Sequence, residues 1–275
     1  MIIKNLFIGV RFALLRLASN KRNNTSLTQP VCIFLIILIL SGCAQHRPVT
    51  NPLLDKKALF YANYAQSFNE HFSASKGTGW VKFTKGTKTD KFRIAWIAAS
   101  PNKIRITLLM AGHPVETIVA SGKKITLISH TGEHSQYSVT AKNPSLDGYI
   151  KVPIKLSEMI SILLGQLPVK PFDNAYFSPH DPAFTSISLE KNWKGTTQTL
   201  HFDDQGKIDR LNSTGFSGKQ LYEVIITQYK TYDFGEVPEK IEITDKNNKK
   251  LLLHITNFQP NPPIKASVFR LTEPG

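Results

Sequence analysis

Apolar and polar residues alternate with period two through most of the chain after residue 77, the pattern of strands buried on one face. Trp80–Phe83, Phe92–Ile97, Ile104–Leu108, Val115–Ala120 and Ile125–Ile128 read as consecutive strands, followed by a more polar one near 134–140. Short turns rich in Gly, Asn or Pro separate them, which predicts an up-and-down antiparallel meander. A second set follows at 184–190, 196–202, 207–216, 220–231, 239–245 and 250–257, with tight turns at 203–206 and 245–248.

Two stretches change to a helical period. Leu59, Phe60, Tyr64, Phe68 and Phe72 predict a helix over about 56–72, capped by Asp55, with these large side chains as its buried stripe. Leu156, Met159, Ile160, Leu163, Leu164 and Leu167 recur at i, i+3, i+4, i+7, i+8 and i+11, an amphipathic helix that Pro168 ends. The expected fold is mainly β: one large curled antiparallel sheet forming an incomplete, half-open barrel closed by two or three helices. A sheet of a dozen strands cannot stay flat, because strand twist curls it.

Period two also says which residues share a face. Phe92, Ile94 and Trp96 fall together on one strand, and Ile104, Ile106 and Leu108 on the next. Ile125 and Leu127, Ile241 and Ile243, and Leu251 and Leu253 are the matching positions of distant strands. These are the candidate lining of an apolar interior, with Met159, Ile160, Leu163 and Leu164 of the helix as its cover. A filled core with no usable cavity is the alternative, since packed interiors are the norm.

The amino terminus alters the setting. Val31–Leu40 is apolar but about half the length that spans a bilayer, and Lys4, Arg11, Arg16, Lys21 and Arg22 precede it with no acid. Leu40-Ser41-Gly42-Cys43 then reads as a lipobox, with Cys43 as the lipidated residue. The organisation expected is a signal peptide over 1–42, a lipidated Cys and tether over 43–56, and one domain over 57–275. The stretch ahead of the apolar run is long for a signal peptide; an amphipathic helix there and a start codon annotated too far upstream explain it equally well. Ala44 follows the cysteine where, in many Gram-negative bacteria, Asp would retain a lipoprotein in the inner membrane, so the expected location is the outer membrane, facing the periplasm.

Charge and cysteine count narrow the chemistry. The 34 basic and 20 acidic residues give +14; the five basic residues ahead of Cys43 leave +9 on the remainder. That suits anionic head groups, although the lysines are scattered along the sequence, and nucleic acid is not an expected partner of an exported chain. Of the two cysteines only Cys43 survives processing, so the fold rests on its core rather than on a disulfide. No nucleophile elbow, phosphate loop or dinucleotide fingerprint occurs. His130-Thr131-Gly132-Glu133-His134 is the one group that suggests a metal, and hairpin-flanking histidines are more often solvated. The expectation is no enzyme, no metal and no cofactor beyond the N-acyl diacylglycerol on Cys43.

Lys103–Thr117, containing the loop Leu109-Met110-Ala111-Gly112-His113-Pro114, resembles a strand–loop–strand of the Lol lipoprotein-localisation proteins. Leu156–Pro168 is similar to their lid-region helix, and Pro238–Thr244 with Lys250–Ile255 to their last hairpin, in the same order. The resemblance covers about residues 57–258 and is nearest to the LolB-like branch, whose members are themselves lipoproteins. It implies an incomplete barrel whose apolar cavity holds acyl chains, a monomer that accepts lipoproteins or other lipids from a periplasmic LolA-like carrier, and insertion of that cargo into the outer membrane. It also implies a membrane-insertion loop, here Leu109, Met110 and Ala111; Ala111 replaces the larger apolar residue that the family carries before the glycine matched by Gly112. The alternative is an envelope assembly or sensor lipoprotein that docks a peptide or protein with the same half-barrel.

Overall fold

The computed structural model describes residues 51–134, 136–178, 181 and 183–270. Cys43, Ala44 and the segment before them lie outside these residues. The described chain forms helix α1 (Pro52–Ser67), strands β1 (Ala74–Lys85), β2 (Lys88–Ala99), β3 (Lys103–Met110), β4 (His113–Ser121), β5 (Lys124–Ser129) and β6 (Tyr137–Thr140), then helices α2 (Asp147–Ile150) and α3 (Leu156–Leu163). Seven more strands follow: β7 (Asn174–Phe177), β8 (Ser186–Lys191), β9 (Gly195–Phe202), β10 (Ile208–Thr214), β11 (Gln220–Tyr232), β12 (Gly235–Asp245) and β13 (Lys250–Pro260), with a 3₁₀ turn at Ala266–Phe269.

All thirteen strands form one sheet in the order β6-β5-β4-β3-β2-β1-β13-β12-β11-β10-β9-β8-β7. Every neighbouring pair is antiparallel. Two meanders are therefore joined through β1 and β13, the first and last strands, and the sheet is left open between β6 and β7. The insert that carries α2 and α3 is the covalent link between those two free edges. The expected incomplete barrel is present, with three helices.

Side-chain alternation fixes the inward face. Gly77 pairs with Trp96, Val81 with Leu253, Ile106 with Trp96 and Ile241 with Leu253, so these residues share one face. That face and the apolar side of α3 form one continuous buried core. Every described strand, helix and core residue lies within 51–270, so a chain starting at Ala44 carries all of the described fold. Asp203 and Asp245 shape their turns as the sequence suggests: each carboxylate accepts from the backbone N–H groups two and four residues on, at 2.8–2.9 Å.

Three local expectations are corrected. Helix α1 begins at Pro52 rather than 56, because Asn51 accepts from Leu53 N (3.1 Å) and proline suits the first helical position. Its buried face is Ala58, Ala62 and Ala65, while Leu59, Phe60 and Tyr64 are exposed. Small side chains let this helix approach the β7–β8 edge closely; of the expected stripe, Leu59, Phe60 and Tyr64 are left on its outer side, whereas Phe68 and Phe72, just past its end, do pack on the core. Helix α3 ends at Leu163, ahead of Pro168, because Gly165 takes a left-handed φ of +73°. A Cβ at Gly165 would also sit 2.4 Å from Val237. Finally β7 lies between Pro168 and residue 184, a Pro-punctuated stretch in which the sequence predicts no strand.

Candidate functional site: the covered apolar face

Ile94, Trp96, Ile104, Ile106, Leu108, Ile125, Ile241, Ile243, Leu251 and Leu253 are all buried in the core, and Phe92 and Leu127 pack at its margin. The expected lining residues are thus brought to one face from five strands. Met159, Ile160, Leu163 and Leu164 are each at most 4% exposed and fill the space above them. Ile162 and Leu167 are buried as well. The interior is occupied by the protein's own helix, and what an acyl chain would touch is now touched by α3.

A polar latch holds the end of that helix. Ser75 Oγ donates to Leu163 O at 2.6 Å, and Trp96 Nε1 donates to Ser75 Oγ (3.1 Å) and to Leu163 O (3.3 Å). A helix ends with carbonyls that lack intrahelical partners, and here the sheet supplies two donors to one of them. The arrangement needs Gly77 beneath the indole, where a Cβ would lie 2.3 Å from the Trp96 ring. Just beyond, Asn69 Nδ2 donates to Gly165 O and Glu236 O at 2.8 Å each, and Gln166 Nε2 donates to Asn69 O (3.2 Å) and Phe72 O (3.0 Å). The end of α1, the end of α3 and the start of β12 are thereby tied together.

The other end of α3 carries a buried charge. Glu158 accepts from Lys155 N at 2.8 Å through Oε2, and its Oε1 lies 3.7 Å from Lys170 Nζ. Lys170 also donates to Ser213 Oγ and stands 5.4 Å from the centre of the Tyr222 ring. Burial pulls the Lys170 ammonium below its ordinary pKa, and Glu158 opposes that. The same burial, with the Glu158 charge nearby, pushes the Tyr222 phenol up. The sequence signalled none of this: one glutamate on an apolar helix face is the only trace it leaves.

One hollow of about 250 Å³ opens at the β5–β6 edge, lined by Leu127, Tyr137, Val139, Pro144, Ser145, Gly148 and Tyr149. Ligand pockets are typically about 300–1,000 Å³, so this space is small for even one lipid. The loop at 109–112 is a two-residue β3–β4 hairpin in which Ala111 and Gly112 both take positive φ and Met110 is 54% exposed. His130 Nε2 lies 2.9 Å from Thr117 Oγ1, and His134 Nε2 lies 3.5 Å from Glu116 Oε1.

No sequence-family model matches the chain, and no curated protein sequence is significantly similar to it. Solved structures do share its fold. A DUF1329 family protein from Desulfovibrio piger superposes with a TM-score of 0.58 at 7% identity, over 79% of this chain and 97% of that one. A domain described as an outer membrane lipoprotein-sorting protein, from Vibrio parahaemolyticus, gives 0.55 at 10%, over 78% and 97%. A LolA superfamily protein from Nitrosomonas europaea gives 0.52 at 10%, again over 78% and 97%. At these identities the likeness is one of fold: an open, LolA-like barrel.

Proposed function

We propose that this chain is an envelope lipoprotein, anchored through acylated Cys43 at the outer membrane, whose half-barrel takes up the acyl chains of lipoproteins or other lipids and passes them to the bilayer. The observation that carries the reading is the open sheet whose apolar face is covered by a separately latched helix. Here the edges β6 and β7 stay apart, and α3 occupies the interior on the insert that links them. Transporting an acyl chain through water means covering it, at about 0.8 kcal/mol per CH₂. Cargo taking the place of α3 would keep the apolar face of the sheet covered. No catalytic residue is required, because a tighter-binding acceptor is enough to draw cargo from a periplasmic carrier. The β3–β4 hairpin, with Met110 exposed at its tip and Leu109 half-buried beside it, would then face the receiving membrane.

The test uses residues 44–275 and a fluorescent fatty-acid probe. Wild type should bind the probe, and organic extracts of the purified protein should contain lipid. Ile106→Glu places an unpaired carboxylate on the inward face, where it is costly, and should abolish binding in molecules that keep a cooperative unfolding transition. Undiminished probe binding by folded Ile106→Glu would remove the interior as the acyl site.

A further inference from the structure

Folding sorts the scattered lysines. The connections β1–β2, β3–β4, β5–β6, β8–β9, β10–β11 and β12–β13 all leave the sheet at one end, since the strands alternate in direction. With their flanking strand residues (85–88, 110–113, 129–137, 191–195, 214–220 and 245–250) they hold eight lysines against Glu133 and Asp245. The connections at the other end (99–103, 121–124, 177–186, 202–208 and 232–235) hold four lysines against four aspartates. Lys85, Lys88, Lys194, Lys219 and Lys246 at the basic end are exposed and make no ion pair among the described residues.

The same end carries two bare aromatic rings. Trp193, at the tip of β8–β9, is 98% exposed, and Phe216, at the tip of β10–β11, is 86% exposed. Their hairpins are two strand spacings apart, roughly 10 Å. Trp193 has a φ of +67°, a region that turns usually fill with Gly or Asn. A tryptophan there has an unfavourable backbone and no packing in return. At the opposite end, by contrast, Phe184 lies 5.3 Å from the Phe177 ring and Phe234 lies 4.8 Å from Tyr232.

We infer that this rim is a docking surface for an anionic bilayer, with Trp193 and Phe216 entering the head-group layer on the same rim as the β3–β4 hairpin and the free lysines contacting lipid phosphates. Tryptophan is favoured at membrane–water interfaces because its ring is apolar and its N–H is polar. Juxtaposed lysines add attraction to anionic lipid that salt screens. The inference deepens the proposed membrane-transfer role: it orients the half-barrel with the basic end down and extends the contact along the rim, eight strand spacings or about 40 Å from the β8–β9 tip to β3–β4.

The experiment measures co-sedimentation of residues 44–275 with phosphatidylglycerol–phosphatidylcholine vesicles and with phosphatidylcholine alone. Wild type should prefer the anionic vesicles and lose affinity as salt rises. Trp193→Ser/Phe216→Ser, and separately Lys85→Gln/Lys194→Gln/Lys219→Gln/Lys246→Gln, should each weaken anionic-vesicle binding about tenfold or more. Phe60→Ser/Tyr64→Ser, on the exposed face of α1, should leave it unchanged. Rim variants that bind like wild type, a loss in the α1 variant equal to theirs, or wild type that ignores vesicles would each overturn the inference. Fatty-acid uptake measured on the same samples separates the two proposals. Rim-dependent docking without uptake leaves the rim standing and removes the acyl-carrying role, whereas uptake without rim-dependent docking does the reverse.

Discussion

Trp96 depends on a neighbour with no side chain. Its indole crosses Gly77 on the adjacent strand, and only that close approach brings Nε1 within reach of Ser75 Oγ and Leu163 O. Alternation alone put Trp96 on the inward face; its bond to a helix carbonyl 67 residues away has no signal in the sequence. His201 shows a different kind of dependence. Burial first, and then the Arg210 charge, hold its pKa below the ordinary histidine value of about 6.5. A histidine whose folded pKa is depressed resists protonation that the unfolded chain accepts. The unfolded state therefore binds more protons between the folded pKa and about 6.5, and stability rises with pH across that window. Acidification from neutrality through about pH 6 should lower the unfolding midpoint of wild type. His201→Gln should flatten that part of the curve, measured by chemical denaturation at a series of pH values. An equally steep acid loss in the variant would place the sensitivity elsewhere.

Helix α3 was legible because its large apolar residues are its buried ones, and the period they set is visible without a fold. Helix α1 misled for the opposite reason: Ala58, Ala62 and Ala65 make its contact, and a scan for bulky residues passes over alanine. Four-residue β7 escaped because an edge strand among prolines has too few positions to show alternation. At α3 the latch can be separated from the packing. Ser75→Ala with Trp96→Phe removes both donors to Leu163 O, and Trp96→Phe paired with intact Ser75 serves as the control for the core space the smaller ring opens. Leaving that buried carbonyl unpaired should cost about 1–3 kcal/mol of stability. If the latch restrains the lid, stopped-flow uptake of the fatty-acid probe should also become faster. Lower stability with an unchanged uptake rate would make Ser75 and Trp96 supports of the fold and nothing more.

At the scale of the molecule, the break between β6 and β7 determines what can move. The twelve strand ladders are independent of the insert, which joins the two free edges and crosses the inward face without adding a strand to the sheet. On the proposed function it leaves while the meander through β1, β2 and β13 persists, in the manner of local opening within an otherwise intact structure. Acyl chains entering the interior would take the place of Met159, Ile160, Leu163 and Leu164, and those side chains would have to withdraw. Hydrogen exchange followed with and without a saturating fatty acid tests this directly. Amides of residues 156–164 should exchange about tenfold faster or more when the ligand is bound, corresponding to about 1.4 kcal/mol of lost local stability. Amides of β1, β2 and β13 should hold their rates or slow, because a ligand that binds the folded state stabilises its remaining core. If the ligand binds and α3 stays as protected as before, the acyl chain lies outside the covered face, and the small hollow at Leu127, Tyr137 and Tyr149 becomes the place to look for it.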